Sequence, residues 1–213
     1  MSVTPVIVVG AGGHAVALAD ALLASGRSVV GFIDPAPGAQ GRLMCGLSVL
    51  GGDEILTRHN SSDVVLANGI GGVGDLSVRR RVQQRLRDMG WRFVGVTHPS
   101  AIVSPFAAIA ADTQLLARAV VQPNASIGEG CIVNTGAIVE HDVSLGAWSH
   151  VAPGSTICGG VQVGESCHVG AGAVVMQGIQ LGPRTTVGAG AAVVRNFGGS
   201  GTLVGVPARK LEI

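Results

Sequence analysis

Charged residues are scarce in this 213-residue chain, because Asp, Glu, Lys and Arg make up only 13% of it, about half the usual share. Within residues 143–194 only Glu165 and Arg184 carry a formal charge. So few charges are unusual on the surface of a monomer, and we expect an oligomer to cover much of this region. The net charge of +1 provides no general attraction to nucleic acid, so no nucleic-acid partner is expected.

Long uninterrupted hydrophobic runs are also missing, although the mean hydropathy is +0.49. Gly, Ser and Pro break the uncharged stretch at residues 143–164, and the polar Ser149 and His150 interrupt it. We therefore expect no membrane span. The short apolar run at residues 5–9 lacks the basic flank of a secretion signal, so a cytoplasmic location is expected.

Cysteine and histidine occur without the spacing that metal sites use. The cysteines are Cys45, Cys131, Cys158 and Cys167, and they form neither a C-x-x-C motif nor the framework of a small secreted domain. No two of the six histidines lie closer than nine residues in the sequence. We expect reduced thiols and no metal ion.

Aliphatic residues recur with a period of six through the second half of the chain. Every sixth position is Ile, Leu or Val at Val103, Ile109, Leu115, Val121, Ile127, Val133, Val139, Leu145, Val151, Ile157, Val163, Val169, Val175, Leu181, Val187 and Val193. This period fits neither an α-helix nor an alternating hairpin sheet, but it is typical of a parallel β-helix whose short strands each point one aliphatic residue inward. Three hexads make one triangular coil, so sixteen hexads make a little over five coils.

The first hundred residues alternate between strand and helix patterns, which predicts an α/β domain with a small Rossmann-like parallel sheet. Strands are predicted at residues 6–9, 28–34, 63–67 and 91–96, and helices at residues 15–23 and 76–89. Domain boundaries are placed at 1–97 and 98–213. The arginines of the second helix are interpreted as a solvated face.

A glycine-rich turn follows the first strand. Residues 10–15 read Gly-Ala-Gly-Gly-His-Ala, a G-x-G-x-x-A pattern whose backbone amides and helix dipole can hold a phosphate. Asp34 ends the second strand, about where an acidic residue meets a ribose hydroxyl in dinucleotide-binding folds. A nucleoside diphosphate linked to a sugar would use the same features. The chain has no second catalytic domain of the dehydrogenase kind, which weakens the dinucleotide interpretation.

The hexads resemble those of the hexapeptide-repeat acyltransferases. This resemblance implies a left-handed parallel β-helix and a homotrimer that binds acetyl-CoA between neighbouring subunits, with active sites at the subunit interfaces. Periodicity alone does not give the hand, and the general rule for parallel crossovers favours the right-handed one.

Additional motifs narrow the resemblance to one subgroup. The glycine-rich turn, residues 31–34, 49–51 and 67–71, and His98-Pro99 together resemble bacterial nucleotide-sugar N-acetyltransferases and the related sialic acid O-acetyltransferases. The resemblance implies N-acetylation of a nucleotide-linked 4-amino-4,6-dideoxy sugar for surface polysaccharide, with GDP-perosamine favoured and a UDP-linked amino sugar next. The implied substrate contacts are Gly12, Gly13, His14, Asp34, Pro35, Asn68, Gly69 and Gly71. Many relatives carry two acidic residues where this chain has Asp34-Pro35.

The candidate catalytic residues lie in the hexad at residues 139–144. Val139 and Val143 are the inward positions, which leaves His141 and Asp142 at an outward corner. Imidazole accepts a proton near neutral pH, and a carboxylate can orient it. Asp142 or Glu140 could take that orienting role, and the resemblance favours Asp142. Gly159 follows His141 by one full coil, so its N–H is a candidate donor to a developing thioester oxyanion.

Acetyl-CoA is the implied co-substrate, and the resemblance distributes its contacts along the β-helix. The residues are His150, Gly159, Ala171, Ala189, Pro207 and Arg209, with His150 alternatively contacting a neighbouring subunit. A covalent acyl-cysteine route through Cys158 has no activating base nearby in the sequence, so direct transfer is simpler. Two alternatives remain: O-acetylation of a sugar hydroxyl by the same residues, and a non-enzymatic trimer that binds a nucleotide.

Overall fold

The computed structural model describes residues 4–72 and 76–212, which fall into two compact units, Met1–Pro99 and Ser100–Ile213. In the first unit the elements are β1 (Val6–Val9), α1 (Gly13–Ala24), β2 (Val29–Ile33), β3 (Leu43–Met44), β4 (Leu47–Gly51), a 3₁₀ helix (Asp53–Arg58), β5 (Val65–Asn68), α2 (Leu76–Asp88) and β6 (Val96–Thr97).

The sheet of the first unit has the strand order β3-β4-β2-β1-β5, with β1, β2, β4 and β5 parallel. All four residues of β1 are buried, as expected for a strand covered on both faces. The chain crosses from β1 through α1 to β2 on one side, whereas β5 lies on the other side of β1. This reversal leaves a crevice at the carboxyl ends of the strands, where α/β sheets bind ligands.

Two details of the first unit differ from the sequence prediction. The strand predicted at residues 91–96 is mostly wrong, because Phe93 makes one isolated bridge to Leu66 and regular structure is limited to β6. The β3–β4 hairpin was not predicted. Its two-residue turn places Cys45 and Gly46 at positive φ, a conformation that a cysteine does not signal.

The second unit is a left-handed parallel β-helix built from very short strands. They are β7 (Ile102–Val103), β8 (Ala108–Ile109), β9 (Gln114–Leu115), β10 (Val120–Val121), β11 (Ser126–Ile127), β12 (Ile132–Val133), β13 (Ile138–Val139), β14 (Ser144–Leu145), β15 (His150–Val151), β16 (Thr156–Ile157), β17 (Gln162–Val163), β18 (His168–Val169), β19 (Val174–Val175), β20 (Gln180–Leu181), β21 (Thr185–Val187), β22 (Ala192–Val193), β23 (Gly201–Val204) and β24 (Arg209–Lys210).

Strands that are one coil apart in the sequence pair in register and form three faces. The first face contains β7, β10, β13, β16, β19 and β22, the second contains β8, β11, β14, β17 and β20, and the third runs from β9 through β12, β15, β18 and β21 to β23 and β24. Every predicted aliphatic anchor from Leu115 to Val193 is buried in one continuous core. The period of six therefore correctly predicts which residues face inward.

From residue 118 to residue 190, each corner of the coil turns through a residue in the left-handed conformation. Thirteen such residues follow one another at intervals of six, with φ between +57° and +71°. They are Arg118, Asn124, Gly130, Gly136, Asp142, Trp148, Gly154, Gly160, Ser166, Gly172, Gly178, Arg184 and Gly190. Glycine adopts this conformation without a steric cost, and Asn and Asp tolerate it better than most residues. This requirement explains part of the high glycine content.

Within the residues that the structure describes, no helix is long and apolar enough to cross a membrane.

Candidate functional site

The corner between the first and second faces carries the predicted catalytic pair. We call residues 122–125, 140–143, 158–161 and 176–179 the His141 corner. His141 and Asp142 are exposed there, and His141 Nδ1 lies 2.8 Å from Asp142 Oδ2. Because a carboxylate only accepts hydrogen bonds, Nδ1 carries the proton and donates it. The lone pair of Nε2 is then available to accept a proton from a ligand.

Asp142 is held from two sides. Its Oδ1 accepts a hydrogen bond from Asn124 Nδ2 at 3.1 Å, and its backbone N–H donates to the carbonyl of Pro123 at 3.1 Å. The hydrogen bond to His141, followed by that from Asn124, lowers the pKa of Asp142 below its ordinary value. Asp142 is therefore a carboxylate at neutral pH and orients the imidazole as an anion.

Gly159 lies directly beneath the imidazole ring, at the place that the coil repeat predicts. A Cβ on Gly159 would lie 2.6 Å from His141 Cε1 and 2.7 Å from Nε2, so the ring packs where any other residue would have a side chain. Gly160 donates its N–H to the His141 carbonyl at 2.9 Å. In the described part of the chain, the Gly159 N–H donates no hydrogen bond, so it is available to a ligand beside the ring.

A cleft of about 650 Å³ opens at this corner. It is lined by Glu140, His141, Asp142, Cys158, Gly159, Gly160, Gln177 and Gly178. The sequence analysis did not identify Gln177 as a site residue. It follows Gly159 by one full coil, so the spacing that relates Gly159 to His141 would have identified it. The cleft thus combines a proton acceptor, a free amide and a neutral polar side chain on three successive coils.

His150 lies on the third face and is buried, with 4% of its surface exposed. Asn134 Nδ2 lies 3.0 Å from its Nε2, and its ring meets His168 edge to face at a centroid distance of 5.0 Å. The two histidines lie one full coil apart in the sequence, and the register of β15 with β18 places them side by side. Little of the His150 ring remains accessible to a coenzyme within a single chain.

The other predicted coenzyme residues lie away from the His141 corner. Ala171 and Ala189 are exposed one coil apart, where Gly190 donates to the Ala171 carbonyl at 2.9 Å, at the corner between the third and first faces. Pro207 is exposed, and Arg209 lies exposed on the terminal strand β24. One chain therefore does not bring these residues to the same corner as His141.

In the first unit, the N-terminus of α1 has the features of an anion site. Gly12 is the N-cap and has no side-chain capping bond, Gly13 begins the helix, and the first turn contains no acidic residue. Both glycines are exposed, and a Cβ on either would meet no atom within 4 Å. Uncapped amides and the helix dipole favour a phosphate at this position. His14 lies half-buried in the same turn.

Asp34 lies at the end of β2 and holds the glycine-rich turn. Its Oδ2 accepts the Ala11 N–H at 2.8 Å and its Oδ1 accepts the Ala36 N–H at 2.9 Å. Beside it is a cleft of about 290 Å³ lined by Asp34, Pro35, Ala36, Pro37, Gly38, Gln40, Gly51, Gly52 and Glu54. This lining has two carboxylates and no Lys or Arg. The cleft is therefore suited to hydrogen-bond donors rather than to phosphate.

The loop after β5 is shaped by the remaining predicted contacts. Asn68 is buried, and its side-chain N–H groups donate to the Arg79 carbonyl at 3.0 Å and to Gln83 Oε1 at 2.9 Å. A Cβ on Gly69 would come within 2.7 Å of Ala15 Cβ, so the loop needs glycine to approach α1. Asn68 and Gly69 thus position the loop from inside, whereas Gly71 is exposed.

Among the described residues, no group of three or more His, Cys, Asp or Glu side chains is arranged to hold a metal ion.

Comparisons with known proteins match both units. Residues 5–86 match the PglD N-terminal domain, and residues 124–159 match the bacterial transferase hexapeptide repeats. A comparison with curated protein sequences finds no match.

Solved structures resemble the chain over its whole length. PerB from Caulobacter crescentus, in complex with CoA and GDP-perosamine, is 35% identical with a TM-score of 0.90, covering 99% of both chains. The acetyltransferase domain of PglB from Neisseria gonorrhoeae FA1090, in complex with acetyl coenzyme A, is 32% identical with a TM-score of 0.91, covering 99% of this chain and 100% of that chain. WeeI from Acinetobacter baumannii AYE is 23% identical with a TM-score of 0.87, covering 97% and 99%, which supports the fold alone.

The packing of His141 on Gly159 gives a structural prediction. Gly159→Ala should push the imidazole away from the coil and lengthen the contact between His141 Nδ1 and Asp142 Oδ2 beyond hydrogen-bond distance, because the new Cβ would lie 2.6 Å from Cε1. A crystal structure of the variant measures the displacement. Gly198→Ala is the control, since a Cβ there meets no atom within 4 Å. An unmoved imidazole in Gly159→Ala contradicts the role given to this glycine.

Proposed function

Because the chain belongs to the family of hexapeptide-repeat acetyltransferases that includes PerB and the PglB acetyltransferase domain, we propose that it N-acetylates a nucleotide-linked amino sugar. Acetyl-CoA is the acetyl donor. The acceptor is a 4-amino-4,6-dideoxy sugar, with GDP-perosamine as the first candidate and a UDP-linked amino sugar as the second. The observation that carries this proposal is the His141–Asp142 pair packed over Gly159 at the wall of an open cleft.

The proposed reaction assigns a role to each of these groups. The sugar amine attacks the thioester carbonyl, a C–N bond forms, and His141 Nε2 takes the proton that the amine loses. Asp142 stabilises the resulting imidazolium through Nδ1. The Gly159 N–H donates to the tetrahedral oxyanion, an interaction of about 3 kcal/mol in comparable acyl transfers. The intermediate then collapses as the C–S bond breaks and CoA thiolate leaves, and imidazolium returns the proton to the thiolate.

The first unit supplies the nucleotide site in this proposal. The diphosphate binds backbone amides at the N-terminus of α1, and Asp34 and Glu54 accept hydrogen bonds from the ribose and the base. Guanine presents two neighbouring N–H donor groups on its pairing edge, whereas uracil presents one N–H between two carbonyls. A cleft that offers carboxylate oxygens and no cationic side chain therefore favours guanine.

We also propose that the active enzyme is a homotrimer. The outward residues of the first face include Ile102 at 68% exposure and Val174 at 42%, accompanied by Val120, Ile138 and Ala192. The outward residues of the second face are small or polar, such as Ser126, Gln162 and Gln180. An apolar face of this kind is suited to burial against another chain. A neighbouring chain would also supply its Ala171 and Ala189 corner to coenzyme bound at the His141 corner.

The trimer is testable by light scattering coupled to size exclusion. The expected mass is about 64 kDa, three times the 21.3 kDa of one chain. Val174→Glu should reduce the mass by placing a charge on the apolar face, whereas Gln162→Glu on the second face should leave it unchanged. A monomeric wild-type protein at micromolar concentration contradicts the trimer.

The acceptor is testable by measuring CoA thiol release from acetyl-CoA with GDP- and UDP-linked 4-amino sugars, each paired with its 4-hydroxy counterpart. We expect release with an amino sugar and none with the matched hydroxyl sugar. His141→Asn should lower kcat by about 10²- to 10⁴-fold, because the variant lacks the general base. If the wild-type protein releases no CoA with any sugar of the panel, the proposed function is contradicted.

Base recognition gives a separate prediction at Glu54. Its Oε1 accepts the Gly52 N–H at 2.8 Å, and Glu54→Gln can retain that bond through the amide oxygen. The new NH₂ group would donate to a uracil carbonyl, but would oppose a guanine donor. The ratio of kcat/KM for GDP-linked to UDP-linked acceptor should fall by about tenfold, corresponding to roughly one hydrogen bond. An unchanged ratio contradicts a role for Glu54 in reading the base.

The two alternatives have less support. The similarity to an acetyltransferase over the full chain disfavours a non-enzymatic nucleotide-binding trimer. O-acetylation uses the same residues, but a solved relative at 35% identity is described as a perosamine N-acetyltransferase, which favours an amine acceptor.

A further inference from the structure

The hydrogen bonds at the His141 corner continue beyond the pair of residues that would carry out the chemistry. Asn124 lies one coil before Asp142, and its Nδ2 donates to Asp142 Oδ1 at 3.1 Å. Asp142 Oδ2 in turn accepts from His141 Nδ1 at 2.8 Å. Three side chains on two coils thus form one chain of hydrogen bonds that ends at His141 Nε2.

We propose that Asn124 is a positioning residue, which fixes the Asp142 carboxylate so that His141 keeps its proton on Nδ1 and its lone pair on Nε2. This inference rests on the proposed function. It adds a residue that never contacts the substrate and acts through the orientation of two others.

Solvent exposure makes such an anchor necessary. The side chains of His141 and Asp142 are 62% and 56% exposed, so water competes for both carboxylate oxygens. The carboxylate torsion of an aspartate is broad, and rotation would carry Oδ2 away from the imidazole. The Pro123 carbonyl holds the Asp142 backbone but not its carboxylate. Asn124 supplies the missing constraint by holding the second oxygen.

The left-handed backbone offers a simpler reason for an asparagine at this position. Asn124 has φ of +61°, and asparagine tolerates this conformation. The backbone requirement alone would be met equally well by glycine, which occupies the equivalent position at Gly136, Gly154 and Gly160. Asn124→Gly therefore preserves the turn, removes the amide and separates the two explanations.

The experiment compares three variants of the full-length protein in the CoA-release assay. Asn124→Gly should lower kcat by about five- to tenfold, the effect of roughly one hydrogen bond, with both KM values within about twofold of wild type. Asn124→Asp keeps the size of the side chain but replaces the donor by a carboxylate that repels Asp142, so its kcat should fall at least as far. Ser166→Gly, at another corner with φ of +58°, is the control and should retain wild-type kcat.

A second readout requires no substrate. In ¹⁵N spectra of histidine-labelled protein, the His141 signal, assigned with His141→Asn, should report the Nδ1–H tautomer in wild type and a mixture of tautomers in Asn124→Gly. The titratable groups lining the cleft are Glu140, His141, Asp142 and Cys158, so spectra are compared at one fixed neutral pH.

The inference is overturned if Asn124→Gly keeps both the wild-type kcat and the wild-type tautomer. It is also overturned if Asn124→Asp keeps the wild-type kcat. A wild-type protein that releases no CoA overturns the proposed function instead. In that case, the tautomer comparison still decides the role of Asn124.

Discussion

The left-handed backbone conformation at successive corners of the coil is the constraint on which most of the second unit depends. Each corner residue from Arg118 to Gly190 adopts it, and the resulting turns keep the two-residue strands of successive coils parallel and in register. The inward aliphatic side chains can stack into one continuous core only when this register holds. The same register brings Asn124 to Asp142 and Gly159 to His141, although a full coil of sequence separates the members of each pair.

The arrangement of the His141 corner depends on this left-handed conformation. Asp142 occupies a left-handed position that a carboxylate residue tolerates, and its carboxylate reaches Asn124 one coil before it. His141 precedes it and lies over Gly159, where the missing Cβ leaves space for the imidazole. The N–H of the same glycine donates no hydrogen bond in the described part of the chain, and the proposed mechanism assigns it to the oxyanion. In the proposed mechanism, a single glycine thus both positions the base and provides the donor.

The sequence predicted the β-helix through its six-residue aliphatic period, because that period directly reflects which residues face inward. It also predicted the positions of His141 and Gly159, because residues that lie one full coil apart in the sequence occupy the same corner. It did not predict the contact from Asn124, because the left-handed corner that aims this side chain leaves no trace in the hydrophobic pattern. The carboxylate of Glu54 was missed for a related reason. The pairing of β2 with β4 brings Glu54 to the same cleft as Asp34, and no local sequence motif indicates this pairing.

In the first unit, two residues that were predicted as substrate contacts make hydrogen bonds within the chain itself. Asn68 belongs to the predicted set, but its amide is buried and bonded to α2, so it shapes the loop from inside. Asp34 uses both carboxylate oxygens to hold backbone amides, including one from the glycine-rich turn. In the proposed nucleotide site, Asn68 therefore shapes the loop, Asp34 holds the turn and also borders the cleft, and the exposed N-terminus of α1 binds the diphosphate.

The central claim is that this chain forms an amide bond between the acetyl group of acetyl-CoA and a nucleotide-linked amino sugar. The most direct measurement uses acetyl-CoA labelled with ¹³C at the carbonyl and GDP-perosamine labelled with ¹⁵N at the amine. Carbon spectra of the product are recorded after incubation with the enzyme. The account predicts an amide carbonyl split by one-bond coupling to nitrogen. An ester carbonyl without that coupling, or free acetate alone, would contradict it.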